Sequence, residues 1–144
     1  MISTRGFWDS SSLAALFVRE RTTVQARAQI KRFAPVIWWA TPLEIHSAIA
    51  RLHRVGNLSG TERQAAVDRL AVVSTGWHEI IPSDEVRRLA ADMLSLYPLR
   101  AADSLQLAAA TVWCQSKPKG RVFICQDERL GEAAGKVGFD VVKL

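Results

Sequence analysis

The sequence predicts an α/β protein of three layers, α/β/α, built around a mostly parallel central sheet. Three observations predict it. Short, dense apolar runs rich in β-branched and aromatic residues, "GFW", "PVIWW" and "RVFIC", have the pattern of strands buried on both faces. Longer stretches with apolar residues at helical spacing separate them. Helix-start residues stand directly after the apolar runs, as strand-to-helix units require.

In chain order, "GFW" is a strand that stops at Asp9, and "SSSLAALFVRE" continues as a helix with Leu13, Leu16 and Phe17 on one face and Ser10 to Ser12 supplying its N-cap chemistry. A second helix covers "TVQARAQIKRF", and "PVIWW" is the next strand. Thr41 as N-cap and Pro42 at the first helical position open a long helix through "LEIHSAIARLHR", with Gly56 near its end. Ser59 and Glu62 form a capping box ahead of "QAAVDRLAVV", and Ser83 starts a helix over "DEVRRLAADMLSLY". Between these two helices "HEIIP" is a minor strand or a loop. After Pro98 comes the helix containing "RAADSLQLAAA", then a turn at "SKPKG", the strand "RVFIC", the helix "ERLGEAAGKVG" and a last short strand in "FDVVKL".

A chain of 144 residues with 49% hydrophobic and 23% charged residues is sized for one domain, 1–144, with a proper core. No internal repeat or low-complexity tract interrupts it. The N-terminus has no signal-peptide pattern, and runs such as "LAALFV" are too short to span a bilayer, so a cytoplasmic protein without a membrane partner is expected. Cys114 and Cys125 sit in apolar contexts that favour reduced core cysteines. They and the three histidines lack the ligand spacing of a zinc site. The net charge of +5 resides in residues 1–60, where Arg5, Arg19, Arg21, Arg27, Lys31, Arg32, Arg51 and Arg54 face only Asp9, Glu20 and Glu44. That asymmetry suits a phosphate-rich partner, and equally a solvated basic face.

Four acids occupy junctions. Asp9 ends the first strand, Glu44 lies in the first helical turn after the second, Asp103 begins a helix amid alanines and leucines, and Asp127 follows "RVFIC". Parallel strands put their carboxyl ends on one edge, so these acids should converge there. A carboxylate cluster of this kind repels itself unless a hard divalent cation relieves it, and Mg²⁺ takes a few carboxylates plus waters and phosphate oxygens. Taken singly, each acid also reads as an ordinary helix-start residue.

The blocks "FWDSSSLAALFVRE", "TPLEIHSAIAR", "LRAADSLQLAAA" and "VFICQDERLGEAAGKVGFDVV" together resemble the four motifs of PIN-domain ribonucleases, specifically the VapC-like toxins of toxin–antitoxin pairs. The resemblance spans essentially the whole chain. It implies a PIN-like fold and a metal-dependent endoribonuclease that uses Mg²⁺ or Mn²⁺. By position Asp9, Glu44, Asp103 and Asp127 match the catalytic acids, with Asp9, Asp103 and Asp127 as metal ligands and Glu44 acting directly or through water. It further implies an RNA substrate, a cognate antitoxin that covers the acidic pocket with an Arg or Lys, and a homodimer. One departure is Cys125, which stands where the family often has Thr or Ser and offers a weak thiol donor instead of a hydroxyl.

Substrate contacts are expected from Ser10 in the hydroxyl-rich stretch, from Arg51 seven residues beyond Glu44 on the same helix face, and from Gln106 one turn beyond Asp103. Ile45, Ile49 and Leu52 form the buried stripe of the Glu44 helix. A metal role for His46 and His53 is disfavoured, and Trp8, Trp38 and Trp39 are expected in the core. Two rival classes stand beside the nuclease. A phosphohydrolase with an aspartate nucleophile would carry a second Asp two residues after Asp9, where this chain has Ser11. A non-catalytic PIN-like module binding nucleic acid or protein would have dispensable acids and need no divalent ion.

Overall fold

The computed structural model describes residues 4–144. Five strands, β1 (Thr4–Trp8), β2 (Phe33–Trp38), β3 (His78–Ile80), β4 (Val122–Cys125) and β5 (Asp140–Lys143), form one sheet in the order β3-β2-β1-β4-β5. Every pairing is parallel. The helices are α1 (Ser10–Ala14), α2 (Thr23–Ile30), α3 (Thr41–Arg54), α4 (Gly60–Val73), α5 (Asp84–Leu96), α6 (Ala101–Trp113) and α7 (Glu128–Val137).

Successive side chains of a strand point to opposite faces, and both faces of this sheet are covered. Phe7, Val36, Trp38, Phe123 and Cys125 pack with α5, α6 and α7. Trp8, Ile37 and Ile124 pack with α1, α3 and α4. These are the three layers the apolar runs predict. Gly131 lets α7 close on the sheet: a Cβ there would meet Cys125 Sγ at 3.2 Å. The capping box of Ser59 and Glu62 and the Ser83 cap form as expected, and "HEIIP" supplies the short edge strand β3.

Five details depart from the sequence reading, the first being that α2 stops at Ile30 and Phe33 opens β2 instead of closing that helix. The first helix is only five residues long; beyond Ala14 the bonds tighten to Leu16 N–H on Leu13 O and Phe17 N–H on Ala14 O, and the all-apolar run turns into the core. Its cap is Asp9 itself, which accepts the Ser12 N–H, so the serines are not the N-cap. Thr41 is not a cap either: Ala40 holds that position, and the buried Thr41 hydroxyl turns inward. Trp39, one residue past the end of β2, is 53% exposed rather than in the core, whereas Trp8 and Trp38 are buried.

Candidate functional site

Chain progress along the sheet reverses between β1 and β4: the strands run outward to β3 on one side, then restart beside β1 on the other. Crevices beyond the carboxyl ends of strands at such a switch point are where open α/β sheets bind ligands. Asp9 follows β1 and Asp127 follows β4, so the first and last of the four acids flank that point. Glu44 enters from the first turn of α3, after the neighbouring β2. Asp103 arrives differently. Helix α6 feeds β4 and must begin at the opposite end from where that strand begins, which puts its first turn at the carboxyl edge. The acids are thus brought to one edge, and their charges act on one another: Asp103 on Asp9, Asp9 and Asp103 on Glu44, and Asp127 on Asp103.

Asp9 lies deepest, at 4% exposure. Its Oδ1 accepts the Ser12 N–H at 3.0 Å and is 2.5 Å from the Ser12 hydroxyl, while Ser11 Oγ donates to Oδ2 at 2.7 Å. Burial overrides these donors and pushes its pKa up to about 6. Glu44 and Asp103 are half-buried, and burial raises both. For Glu44 the Ser10 and Gln106 side chains pull the other way; for Asp103 the repulsion of Asp127 adds to burial, against the Arg100 N–H and guanidinium. Asp127 is exposed and caps α7, accepting the Leu130 N–H at 2.8 Å. A solvent-exposed cap shows the contrast: Glu62, in its capping box, has its pKa lowered by the Ser59 backbone N–H. Helix-start duty alone lowers a carboxyl group's pKa, and Asp9, Glu44 and Asp103 go the other way.

The three weaker candidates separate. Gln106 is 3% exposed and ties elements together: its Nε2 lies 2.6 Å from Ser10 Oγ, 3.4 Å from Thr41 Oγ1 and 3.3 Å from Glu44 Oε1. Ser10 is buried as well and donates to Thr41 Oγ1 at 3.1 Å. Gln106 thus holds Glu44 directly, and Ser10 holds Gln106. Arg51 is exposed and lines a cavity of about 300 Å³ with Glu44, Ser10 and Ser11. A second cavity, about 400 Å³, is lined by Asp127, Ser11, Glu20, Arg21, Thr22 and Gln126. Sequence reasoning missed Ser12, Thr41, Thr22 and Gln126 as site residues. Only Ser12 had a local signal, its place three residues after an N-cap acid.

The Cys125 thiol is fully buried, and burial together with the charges of Asp9 and Asp127 pushes its pKa up to about 12. Its Sγ lies 3.8 Å from the main-chain oxygen of Asp127, so it touches the fourth acid's backbone and not its carboxylate. Cys114 is likewise free and buried. His46 and His53 stay outside the cluster, with His53 Nδ1 3.0 Å from Leu58 O.

The donor set suits Mg²⁺ or Mn²⁺ in kind: hard carboxylate oxygens whose mutual repulsion and burial a divalent cation would relieve. In spacing the set is open, because among the described residues no three His, Cys, Asp or Glu side chains converge closely enough to enclose an ion. Mg²⁺ commonly keeps several waters and takes one or two carboxylates plus substrate phosphate, which does not demand a closed cage.

No protein-family model matches the sequence, and no curated protein does. Solved structures do match. A chain of a toxin–antitoxin complex from Klebsiella pneumoniae superposes with a TM-score of 0.68 at 16% identity, over 96% of both chains. FitAcB from Neisseria gonorrhoeae gives 0.67 at 15% identity, over 95% of this chain and 96% of that one. VapBC2 from Rickettsia felis, bound to a DNA fragment from its promoter, gives 0.65 at 7% identity, over 97% and 100%. At identities this low the superpositions establish a shared fold alone. The architecture is the three-layer, PIN-like α/β/α fold that the sequence predicts, and one of its structural neighbours is a chain of a toxin–antitoxin complex. No helix among the described residues is long and apolar enough to cross a membrane.

Proposed function

We propose that this chain is a metal-dependent endoribonuclease, the PIN-domain, VapC-like toxin of a toxin–antitoxin pair. The observation that carries the reading is the coupled set of acids at the switch point, three of them with proton affinities raised by burial and mutual repulsion. Proteins keep such groups where they do chemistry more often than where they only cap helices. The whole-length likeness to chains of toxin–antitoxin complexes supports the toxin role.

In this reading Asp9, Asp103 and Asp127 hold Mg²⁺ or Mn²⁺, with Glu44 acting directly or through water. The bound ion supplies Lewis-acid stabilisation of the phosphate and a water acidic enough to attack it at neutral pH. The chain's own residues position these groups. Ser11 and Ser12 fix both oxygens of Asp9, so its carboxylate does not rotate away. Gln106, seated on Ser10, fixes Glu44. The N-termini of α1, α3, α6 and α7 all meet this edge, and their dipoles favour the anions gathered there. No side-chain nucleophile is needed, in keeping with the high pKa and burial of Cys125. The partners of this reading are RNA, an antitoxin whose Arg or Lys enters the acidic pocket, and a second copy of the chain, all in the cytoplasm.

The test is cleavage of structured RNAs by the purified protein in EDTA, Mg²⁺ and Mn²⁺. Cleavage only with a divalent ion supports the proposal. RNA binding without cleavage under all three conditions favours the non-catalytic module.

A further inference from the structure

Two cavities adjoin along the carboxyl edge and share three walls, Ser11, Glu20 and Gln126. Arg21 and Asp127 are among the residues lining one; Arg51 and Glu44 are among those lining the other. Arg51 is held there by α3. Arg21 belongs to the connection between α1 and α2, and that connection is fastened to the site. The neighbouring Thr22, 2% exposed, donates its hydroxyl to Gln126 Oε1 at 2.6 Å, and Gln126 Nε2 reaches Ser11 O at 3.4 Å.

Both arginines stand on walls that also carry carboxylates, yet neither is paired. The one ion pair among the described residues is Lys143 of β5 with Glu128, the first residue of α7, and it involves neither arginine. An arginine beside acids ordinarily gains a charge-assisted pair. These two keep their five N–H donors for something that enters the cleft. The acids between them repel a lone small anion. A chain of phosphates is different: its outer phosphates meet the arginines while the middle one lies between Asp127 and Glu44, the two site acids that line these cavities. Adjoining cavities of about 300 and 400 Å³ are each large enough for a single nucleotide.

We propose that Arg21 and Arg51 are the two phosphate-seating residues for a single strand of RNA, one on each side of the phosphate to be cut. This rests on the nuclease reading and adds to it the path of the substrate. Both act in binding, so their loss should affect ground state and transition state alike.

The experiment compares the parent with R21A, R51A, the double variant and R88A. Arg88 is exposed on α5, on the opposite face of the sheet from α1 to α4, and its removal costs the same charge. Binding of a short fluorescein-labelled oligoribonucleotide is followed by anisotropy in EDTA across a salt series, and cleavage kinetics are measured in Mn²⁺. R21A and R51A should each weaken binding by roughly threefold to tenfold. Each should also flatten the log–log salt slope by about 0.7. KM should rise by a similar factor with kcat held, and melting temperatures should not move, because both side chains are exposed and neither is hydrogen-bonded or ion-paired in the fold. R88A should leave all of these as in the parent. If the parent binds and cleaves RNA but R21A and R51A behave like R88A, the seating role is overturned and the nuclease reading stands. If the parent neither binds nor cleaves RNA, both fall.

Discussion

Ser12 gives Asp9 its backbone N–H at 3.0 Å and sets its hydroxyl 2.5 Å from the same oxygen, and still the Asp9 carboxyl has a pKa of about 6. Burial outweighs these two donors and the Ser11 hydroxyl as well. The folded value lies above the ordinary 3.8, so the folded state holds this proton more tightly than the unfolded chain does. The resulting stabilisation is fully present below the unfolded pKa and is lost as pH rises through 6. Asn at this position still accepts the Ser12 N–H but does not titrate. In EDTA, Asp9→Asn should therefore gain on the parent between pH 4 and pH 7, by at most about 3 kcal/mol for a shift of this size. Urea unfolding at a series of pH values measures it, and a difference that stays flat with pH contradicts it.

Gln106 joins three elements, and its loss should be felt in both fold and activity. Gln106→Leu takes the Nε2 donor away from Ser10 Oγ, Thr41 Oγ1 and Glu44 Oε1 and leaves only the Ser10–Thr41 bond among them, for a cost of about 1–3 kcal/mol. RNA cleavage should fall roughly tenfold as Glu44 loses its fixed position. Chemical denaturation and a cleavage assay at a temperature where the variant is folded check the two effects. Full activity in a destabilised variant would make Gln106 a purely structural residue.

The Gln106 network also marks the boundary of what the sequence discloses. The strands and the four junction acids are legible because each depends on a local pattern: a dense apolar run, then a helix start. Asp103 stands out in "RAADSLQLAAA" for the same reason. Thr41 is misread as a cap because its position before an apolar helix has that local signature, while its real partners, Ser10 and Gln106, lie 31 and 65 residues away. Thr22 and Gln126 are hidden likewise, 104 residues apart. Trp39 fails for a different reason: β2 ends one residue earlier, and a residue past a strand end no longer obeys the strand's alternation.

Both thiols should be silent in the native protein. Cys114 and Cys125 are buried and free, with pKa values raised by burial, so the reactive thiolate is scarce and inaccessible. Ellman's reagent should label neither at neutral pH, and both after unfolding. Fast labelling of Cys125 in the folded state would mean that the packing of α7 through Gly131 is wrong.

Light scattering at micromolar concentration tests the proposed dimer. Trp39, Leu43 and Ile81 are exposed apolar side chains, and Trp39 N–H bonds Ile80 O next to Ile81. A self-associating chain should run at about twice 16.0 kDa. Leu43→Glu should then shift the population toward monomer. A parent that stays at 16.0 kDa contradicts the dimer.

The central claim is that Asp103 is one of several crowded carboxylates that bind a catalytic metal, and not merely an acid at a helix start. Melting curves of the parent and Asp103→Asn, with and without Mn²⁺, alongside RNA cleavage, test it most directly. Without metal the variant should melt at the parent temperature or above, since the change removes repulsion from Asp127, Asp9 and Glu44. The stabilisation that Mn²⁺ gives the parent should shrink, and cleavage should collapse by at least about 100-fold. A variant that melts lower without metal yet still cleaves RNA with Mn²⁺ would contradict the account and leave Asp103 a helix-start residue.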